Sequence, residues 1–286
     1  MKIPVYFCLF VGVIALGCSA ILIRLADAEP LAIAAYRMGG GALLLLPFTG
    51  KSVMYMWGAL SLKEKIIWAG SGIFLAFHFA FWIESLSHTS VASSVVLATT
   101  NPIFAGIGGI VLLGEREGRN FWLGVVLAIG GSAVLAYSDF VGRDDSFWGN
   151  FLALSAAVMA SAYMLCGRKL RIKIPVAAYV TGCYGFSGIL LFGAAFILEQ
   201  PLGGYSQNTW LLLFAMILIP TLIGHTSINY ALGHLHPGKV ALAVVGEPLV
   251  ATGLAWWLLQ EVPTSSRLFA CSIILMGIVL GGRSKS

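Results

Sequence analysis

The sequence predicts an all-α integral membrane protein of ten transmembrane helices, built from two inverted-topology repeats of five helices each. Composition is the first reason. Of its 286 residues, 59% are hydrophobic and 10% are charged, and the mean hydropathy is +0.91. A soluble domain carries roughly 25% charged residues, so this chain has too few charges to cover a surface that faces water. The other two reasons are the lengths of the apolar segments and an internal repeat.

Ten continuous apolar segments follow one another along the chain, each close to the length that crosses a membrane. A bilayer core of about 30 Å needs roughly 20 apolar residues in a helix. The strands of a membrane barrel would instead alternate apolar and polar residues. The widest polar gap, Lys51 to Lys65, leaves no room for a soluble domain. The predicted spans are roughly 3–23, 31–48, 66–86, 90–113, 120–138, 147–166, 176–198, 209–232, 238–259 and 267–282.

Basic residues predict the orientation of these spans. If the N-terminus is cytoplasmic, thirteen of the seventeen Lys and Arg residues lie on the cytoplasmic side. Arg24, Arg143 and Arg267 lie outside, and Arg37 lies within the second span. Cytoplasmic loops carry an excess of Lys and Arg, so both termini are expected in the cytoplasm. We expect a multi-pass protein of the plasma (inner) membrane.

An internal repeat relates the two halves of the chain at a constant offset of 146 residues. Each unit has an odd number of spans, so the second unit enters the membrane from the opposite side. We expect one repeat over 1–140 and the other over 141–286. Such inverted repeats are typical of transporters that alternate between two access states. The matched positions are Ser85–His88 with Ala231–His234, Pro102 with Pro248, Glu115 with Glu261 and Gly131 with Gly277.

Three stretches of the chain resemble the EamA family of the drug/metabolite transporter superfamily. They are PLAIAAYRM at 30–38, TSVASSVVLATTNPIFAGIGGIVLLGER at 89–116 and HPGKVALAVVGEPLVATGLAWWLLQE at 236–261. The resemblance covers the chain as two EamA repeats. It implies a ten-helix bundle that exports amino acids or other metabolites.

Glu247 and Asn101 are the first candidates for substrate binding or coupling. They occupy matched positions in the middle of the ninth and fourth spans, directly before Pro248 and Pro102. Proline interrupts a helix, and substrate sites of inverted-repeat transporters are expected near the midplane beside such helix breaks. A carboxyl removed from water could bind and release a proton during transport. The alternative is that Glu247 is a neutral, hydrogen-bonded structural residue at a kink.

Further polar and aromatic residues form stripes on single faces of other spans. His78 and Trp82 lie on one face of the third span, and His225 and Asn229 share a face with Thr221 in the eighth. Such stripes should line a cavity or contact another helix, and both remain open for the histidines. The remaining candidates for substrate binding or coupling are Tyr163 in the sixth span and Ser19 in the first, where the first and sixth spans match weakly.

Arg37 and Glu84 lie near the outer ends of adjacent predicted spans. We expect them to pair, either as an outer gate or as a structural ion pair. No metal or cofactor is expected, because the five cysteines form no C-x-x-C pair and no phosphate-binding loop motif occurs.

The function expected from these features is secondary active transport of a small solute within a lipid bilayer, with protons as a candidate coupling ion. A membrane-embedded enzyme is the alternative, but the sequence has no H-E-x-x-H or G-x-S-x-G motif. A passive facilitator or channel is another, although channels need more polar pore linings. Nucleic acid is not an expected partner, and the sequence leaves the substrate, the direction of transport and the oligomeric state open.

Overall fold

The computed structural model describes residues 4–89, 91–138, 146–260 and 262–284, and all regular secondary structure in these ranges is helical. The expected boundary between the repeats lies outside the described residues, as do Arg143 and Glu261. The helices are α1 (Val5–Gly17), α2 (Ser19–Leu25), α3 (Pro30–Ala59), α4 (Leu62–His88), α5 (Val91–Ala98), α6 (Asn101–Gly108), α7 (Arg119–Ser138), α8 (Phe147–Arg171), α9 (Val176–Ile197), α10 (Gln207–Met216), α11 (Thr226–Leu232), α12 (Pro237–Val244), α13 (Glu247–Leu259) and α14 (Ser265–Gly282). Two π-helical segments, Gly109–Leu113 and Ile217–His225, continue α6 and α10.

Nine helical stretches within the described ranges are long and apolar enough to cross a membrane. They correspond to all the predicted spans except the ninth, 238–259. That span is divided between α12 and α13, neither of which is long enough by itself. Large apolar side chains such as Phe48 and Phe147 are 88% and 86% exposed, as expected of a surface that contacts lipid.

The second span is longer than predicted. We expected a polar gap from Lys51 to Lys65, but α3 continues to Ala59, and only Leu60 and Ser61 separate it from α4. The 30 residues of α3 extend to about 45 Å, so its last turns pass beyond a hydrocarbon core of about 30 Å. Helix continues there because the segment after Lys51 contains no proline and includes good helix formers such as Met54, Met56 and Ala59.

Both helices that carry the matched prolines are interrupted directly before them. The turn Thr99–Thr100 separates α5 from α6, and the turn Val245–Gly246 separates α12 from α13. Pro102 and Pro248 each occupy the second position of the helix that follows. A proline fits the first turn of a helix, where no backbone N–H is needed, and cannot continue the preceding one. Asn101 and Glu247 therefore each begin a helix.

The packing of the helices follows the internal repeat. The second span, α3, packs on the seventh, α9, and the fifth, α7, packs on the tenth, α14. The third span packs on the sixth through α4 and α8. The equivalent contact, with the two repeats exchanged, is that of the eighth span with the first, in which α1 packs on the second π-helical segment and on α11. A two-fold relation between the repeats produces this pattern, because it exchanges the third span with the eighth and the sixth with the first.

Glycine permits the closest of these contacts. A Cβ added to Gly277 of α14 would lie 2.6 Å from the carbonyl oxygen of Gly124 and from the backbone nitrogen of Ala128, both in α7. The backbones of two helices can approach this closely only where a side chain is missing. The two halves are thus joined by direct backbone contact as well as by the buried core between them.

Candidate functional site

Arg37 of α3 is the buried cation at the centre of the candidate site. The residue is 1% exposed. Its Nη1 donates to Ser19 Oγ at 3.0 Å and its Nε donates to Thr221 Oγ1 at 3.4 Å. Its guanidinium carbon lies 4.7 Å from the centre of the Phe79 ring. Helices α2, α3 and α4 and the π-helical segment Ile217–His225 therefore meet around one positive charge.

Glu247 is the carboxylate that acts on this cation. It begins α13 and is partly exposed, and among the described residues its carboxylate has no hydrogen bond and no ion pair. It interacts electrostatically with Arg37 without direct contact. A Cβ added to Gly17 would lie 3.2 Å from the Glu247 carbonyl oxygen and 2.5 Å from Val250 Cβ. Gly17 therefore allows α1, and with it Ser19, to lie close to the start of α13.

Aromatic and imidazole rings form the next wall of the site. The His78 ring is parallel to that of Trp82, 6.5 Å away, and Phe79 contacts His225 edge-on at 5.4 Å. His78 Nδ1 lies 3.0 Å from the Ala156 carbonyl oxygen. A carbonyl can only accept, so Nδ1 donates, and in a neutral ring Nε2 is left as an acceptor. His78, Trp82 and His225 are all partly exposed.

Tyr163 and Asn229 lie beside this wall and bond to each other. Asn229 Nδ2 donates to the Tyr163 hydroxyl and, at 2.7 Å, to the His225 carbonyl oxygen. Both residues are almost fully buried, at 2% and 0% exposed. For Asn229 the sequence left a cavity role and a helix–helix role open, and for Tyr163 it predicted a cavity wall; the observed contact is one between α8 and α11.

Asn101 also lies at a contact between helices. It is 6% exposed, and its backbone carbonyl oxygen accepts a hydrogen bond from Ser161 Oγ of α8 at 2.9 Å. The hydroxyls of Thr99 and Thr100 donate to the carbonyl oxygens of Val96 and Leu97. Carbonyl groups at the break between α5 and α6 are thus satisfied by hydroxyls, as a break within a membrane requires.

The expected pairing of Arg37 with Glu84 is not present in the structure. Glu84 Oε1 lies 2.9 Å from His88 Nε2 on the surface of α4, where the two side chains are 54% and 41% exposed. Arg37 faces the interior between the two halves instead. Depth along adjacent spans suggested the pair, but the rotation of each helix about its axis decides which residues meet, and the sequence does not specify that rotation.

A second charged cluster lies at one end of the bundle and joins the two halves, and its two carboxylates lie outside the membrane-spanning segments. We call it the Glu115 clamp, and its members are Glu115, Glu117, Arg168 and His236. Arg168 Nε lies 2.8 Å from Glu115 Oε1, and His236 Nδ1 lies 3.3 Å from Glu117 Oε1. Burial raises the pKa of Glu117, whose side chain is 2% exposed, although nearby His236 and Lys239 oppose the shift.

Sequence reasoning missed the Glu115 clamp, Phe79 and Tyr184. Tyr184 of α9 is fully buried and donates from its hydroxyl to the Thr221 carbonyl oxygen at 3.3 Å. Phe79 and Tyr184 carried no signal, because aromatic residues are common throughout the spans. The clamp was overlooked because only residues within spans were weighed, although Glu115 is one of the positions matched between the repeats.

Comparisons with known proteins agree with this architecture. The family described as "EamA-like transporter family" matches residues 3–137 and again residues 147–282. A solved crystal structure superposes with a TM-score of 0.81 over 97% of this chain and 96% of its own, at 17% identity, a likeness that shows the fold alone.

Three relatives of the chain have names that indicate transporters rather than enzymes. The uncharacterized transporter YwfM of Bacillus subtilis (strain 168) is 25% identical over 89% of this chain and 84% of its own length. YdfC of the same strain, also an uncharacterized transporter, is 24% identical over 72% and 67%. A probable terminal-alkyne amino-acid exporter of Streptantibioticus cattleyicolor is 26% identical over 68% of this chain and 65% of its own length.

Proposed function

The chain belongs to the EamA-like transporter family, and from that premise we propose that it is a secondary active transporter of the plasma membrane that exports small metabolites such as amino acids. Transport proceeds by alternating access, with the repeats 1–140 and 141–286 as the two moving halves. Protons are the coupling ion, and Glu247 carries them.

The observation that carries this proposal is an unpaired carboxylate deep between the two halves. Glu247 begins α13 directly after the break in the ninth predicted span, and it is partly exposed without a hydrogen-bond or ion-pair partner among the described residues. An ionisable group within a membrane is costly and is a functional candidate by default. A purely structural carboxyl would be expected to have its hydrogen bonds satisfied.

Coupling follows from the electrostatics of this position. When the Glu247 carboxylate is ionised, it balances the charge of Arg37 and offers an acceptor to a solute. When it is protonated, its charge is lost and its hydrogen-bonding character changes. A conformational change that opens Glu247 first to one side of the membrane and then to the other would carry a proton in exchange for a solute.

The experiment is solute flux in proteoliposomes with and without an imposed pH gradient, comparing the wild type with Glu247→Gln. A metabolite panel is used that includes amino acids. We expect Glu247→Gln to abolish the dependence of flux on the pH gradient and to retain exchange of solute for solute at saturating solute, because glutamine accepts hydrogen bonds but binds no proton.

The matched control is Glu84→Gln, which changes an exposed carboxyl outside the site and should leave both fluxes unchanged. Full pH dependence in Glu247→Gln would remove Glu247 from the coupling role. Absence of flux for every solute with the wild type would overturn the proposed function.

A further inference from the structure

We propose that Arg37 binds the carboxylate of a zwitterionic substrate while Glu247 binds its ammonium group, so that a proton and the ammonium compete for one carboxylate. This proposal rests on the proposed function, and it assigns to Arg37 a role in recognition that replaces the expected pairing with Glu84. The substrate class follows from two opposite charges between the halves: Arg37 bonds to Ser19, and Gly17, two residues earlier, packs against the start of the helix that Glu247 begins.

The contacts of Arg37 leave its charge without a direct partner. Within the described ranges, Arg37 donates to two neutral hydroxyls and forms no ion pair. A guanidinium has five N–H donors in a planar fork that matches a carboxylate, and a buried charge is normally paired. The two hydroxyls and the face of Phe79 hold the guanidinium in place but do not neutralise it.

The groups around the cation are compatible with an anionic group arriving from outside. The titratable residues that act on Arg37 or are acted on by it are His78 of α4, Tyr184 of α9, His225 of the π-helical segment and Glu247 of α13. Glu247 is the only carboxylate among them, and it stands off from Arg37 rather than bonding to it. Once the ammonium group of the substrate is paired with Glu247, the carboxylate of the same substrate would meet little repulsion at Arg37.

The partly exposed rings supply a surface for the apolar part of such a solute. His78, Trp82 and His225 lie in the same region as Phe79 and are all partly exposed. Ligand sites are mostly apolar with a few placed polar groups that fix orientation. An amino acid with an aliphatic or aromatic side chain has this combination of a zwitterionic end and an apolar end.

Competition at Glu247 makes the transport an exchange. A proton on Glu247 removes the partner of the ammonium group and so weakens substrate binding, and bound substrate disfavours the proton by the same factor. Protonation and substrate binding therefore alternate, and the proton and the substrate are transported in opposite directions. A solute that lacks the ammonium group would escape this competition.

The test is equilibrium binding to the purified full-length protein with matched sets of three compounds. Each set shares one side chain: L-phenylalanine, 3-phenylpropanoate and 2-phenylethylamine, and L-leucine with its deaminated and decarboxylated analogues. For the wild type we expect at least one amino acid to bind about tenfold or more tightly than both of its analogues, because each charge-assisted contact contributes on this order. Its binding should weaken on acidification.

Arg37→Gln tests the carboxylate contact. We expect it to lower the affinity for the amino acid about tenfold to a hundredfold and to leave that for the amine analogue within about twofold. A structural role for Arg37 would lower both together. Arg37→Lys keeps the charge without the planar fork and should recover part of the selectivity, which also covers the case in which Arg37→Gln fails to fold.

Two results would overturn the proposal. Equal affinities of the wild type for an amino acid and its amine analogue would exclude a carboxylate contact. Failure of both amino acids to bind or to move, while another solute shows flux that depends on Glu247, would reject the zwitterion and leave the proposed function intact. Failure of all solutes would instead reject the proposed function.

Discussion

The ion pair between Arg168 and Glu115 allows a test of how the two halves are held together at one end of the bundle. The atoms Nε and Oε1 lie 2.8 Å apart, and the two side chains are 15% and 19% exposed. Glu115→Gln preserves the shape of the side chain and removes its charge, so Arg168 is left with its bond to the Leu232 carbonyl oxygen.

The expected magnitude lies between two known limits. Exposed ion pairs contribute roughly 0.2–1 kcal/mol, and removing one partner of a fully buried pair costs about 3–5 kcal/mol. For a mostly buried pair we take about 2 kcal/mol, which corresponds to about a thirtyfold change in an opening equilibrium. The Glu115 clamp should therefore open about thirty times more often in Glu115→Gln.

Hydrogen exchange followed by mass spectrometry measures this opening. Exchange of backbone amides in the segments 114–118 and 232–236 should accelerate by about thirtyfold, because local opening limits it. Glu84→Gln is the matched control, since it breaks an exposed pair on α4 and should leave both segments unchanged. Unchanged exchange in Glu115→Gln, or equal acceleration throughout the protein, would refute a local clamp.

Two further predictions concern the Glu115 clamp and the helix contacts. Burial raises the pKa of Glu117, so its contribution to stability is fully present below the ordinary glutamate pKa and is lost as pH rises through the raised value. The melting temperature in detergent should fall over that pH range, and Glu117→Gln should remove this part of the pH dependence; an unaltered profile would contradict the assignment. Gly277→Val places atoms against the backbone of α7 and should cost roughly 1–3 kcal/mol, measured as a lower melting temperature. Gly193→Ala, at a helical site with open space around it, should be neutral or slightly stabilising, and similar losses in both variants would argue against close packing at Gly277.

Much of the architecture was predictable from local sequence properties. Apolar length predicted nine of the ten spans as long apolar helical stretches, and the matched Asn-Pro and Glu-Pro pairs marked two positions at which helices are interrupted. These are consequences of chemistry within one segment: hydrocarbon thickness sets the length, and proline cannot donate the hydrogen bond that would continue a helix. The extension of α3 to Ala59 was missed because the polar residues between Lys51 and Lys65 were interpreted as a loop, whereas the helix continues outside the membrane core.

The candidate site was predictable only in part. Glu247, His78 and His225 could be singled out, since few titratable residues occur at depth in the spans and each is costly there. Arg37 was singled out as well, but its partners were wrong, because Ser19, Phe79 and Thr221 come from three other segments of the chain. Tyr163 and Asn229 were candidates for substrate binding or coupling, with a contact between helices as the alternative for Asn229, and their mutual hydrogen bond became visible only in the structure.

By itself the sequence determined that this is a membrane-embedded helical protein with two related halves, and it identified the polar residues that the membrane must accommodate. The tertiary structure decided which of these residues meet: Arg37 with Ser19 and Thr221, Glu115 with Arg168, and Glu84 with His88. The reason is physical. Lipid is as apolar as the helix faces, so association between spans depends on shape, small residues and a few polar contacts rather than on hydrophobic pattern. Those contacts form between segments that are far apart in the chain, and they exist only once the helices have taken their positions and rotations.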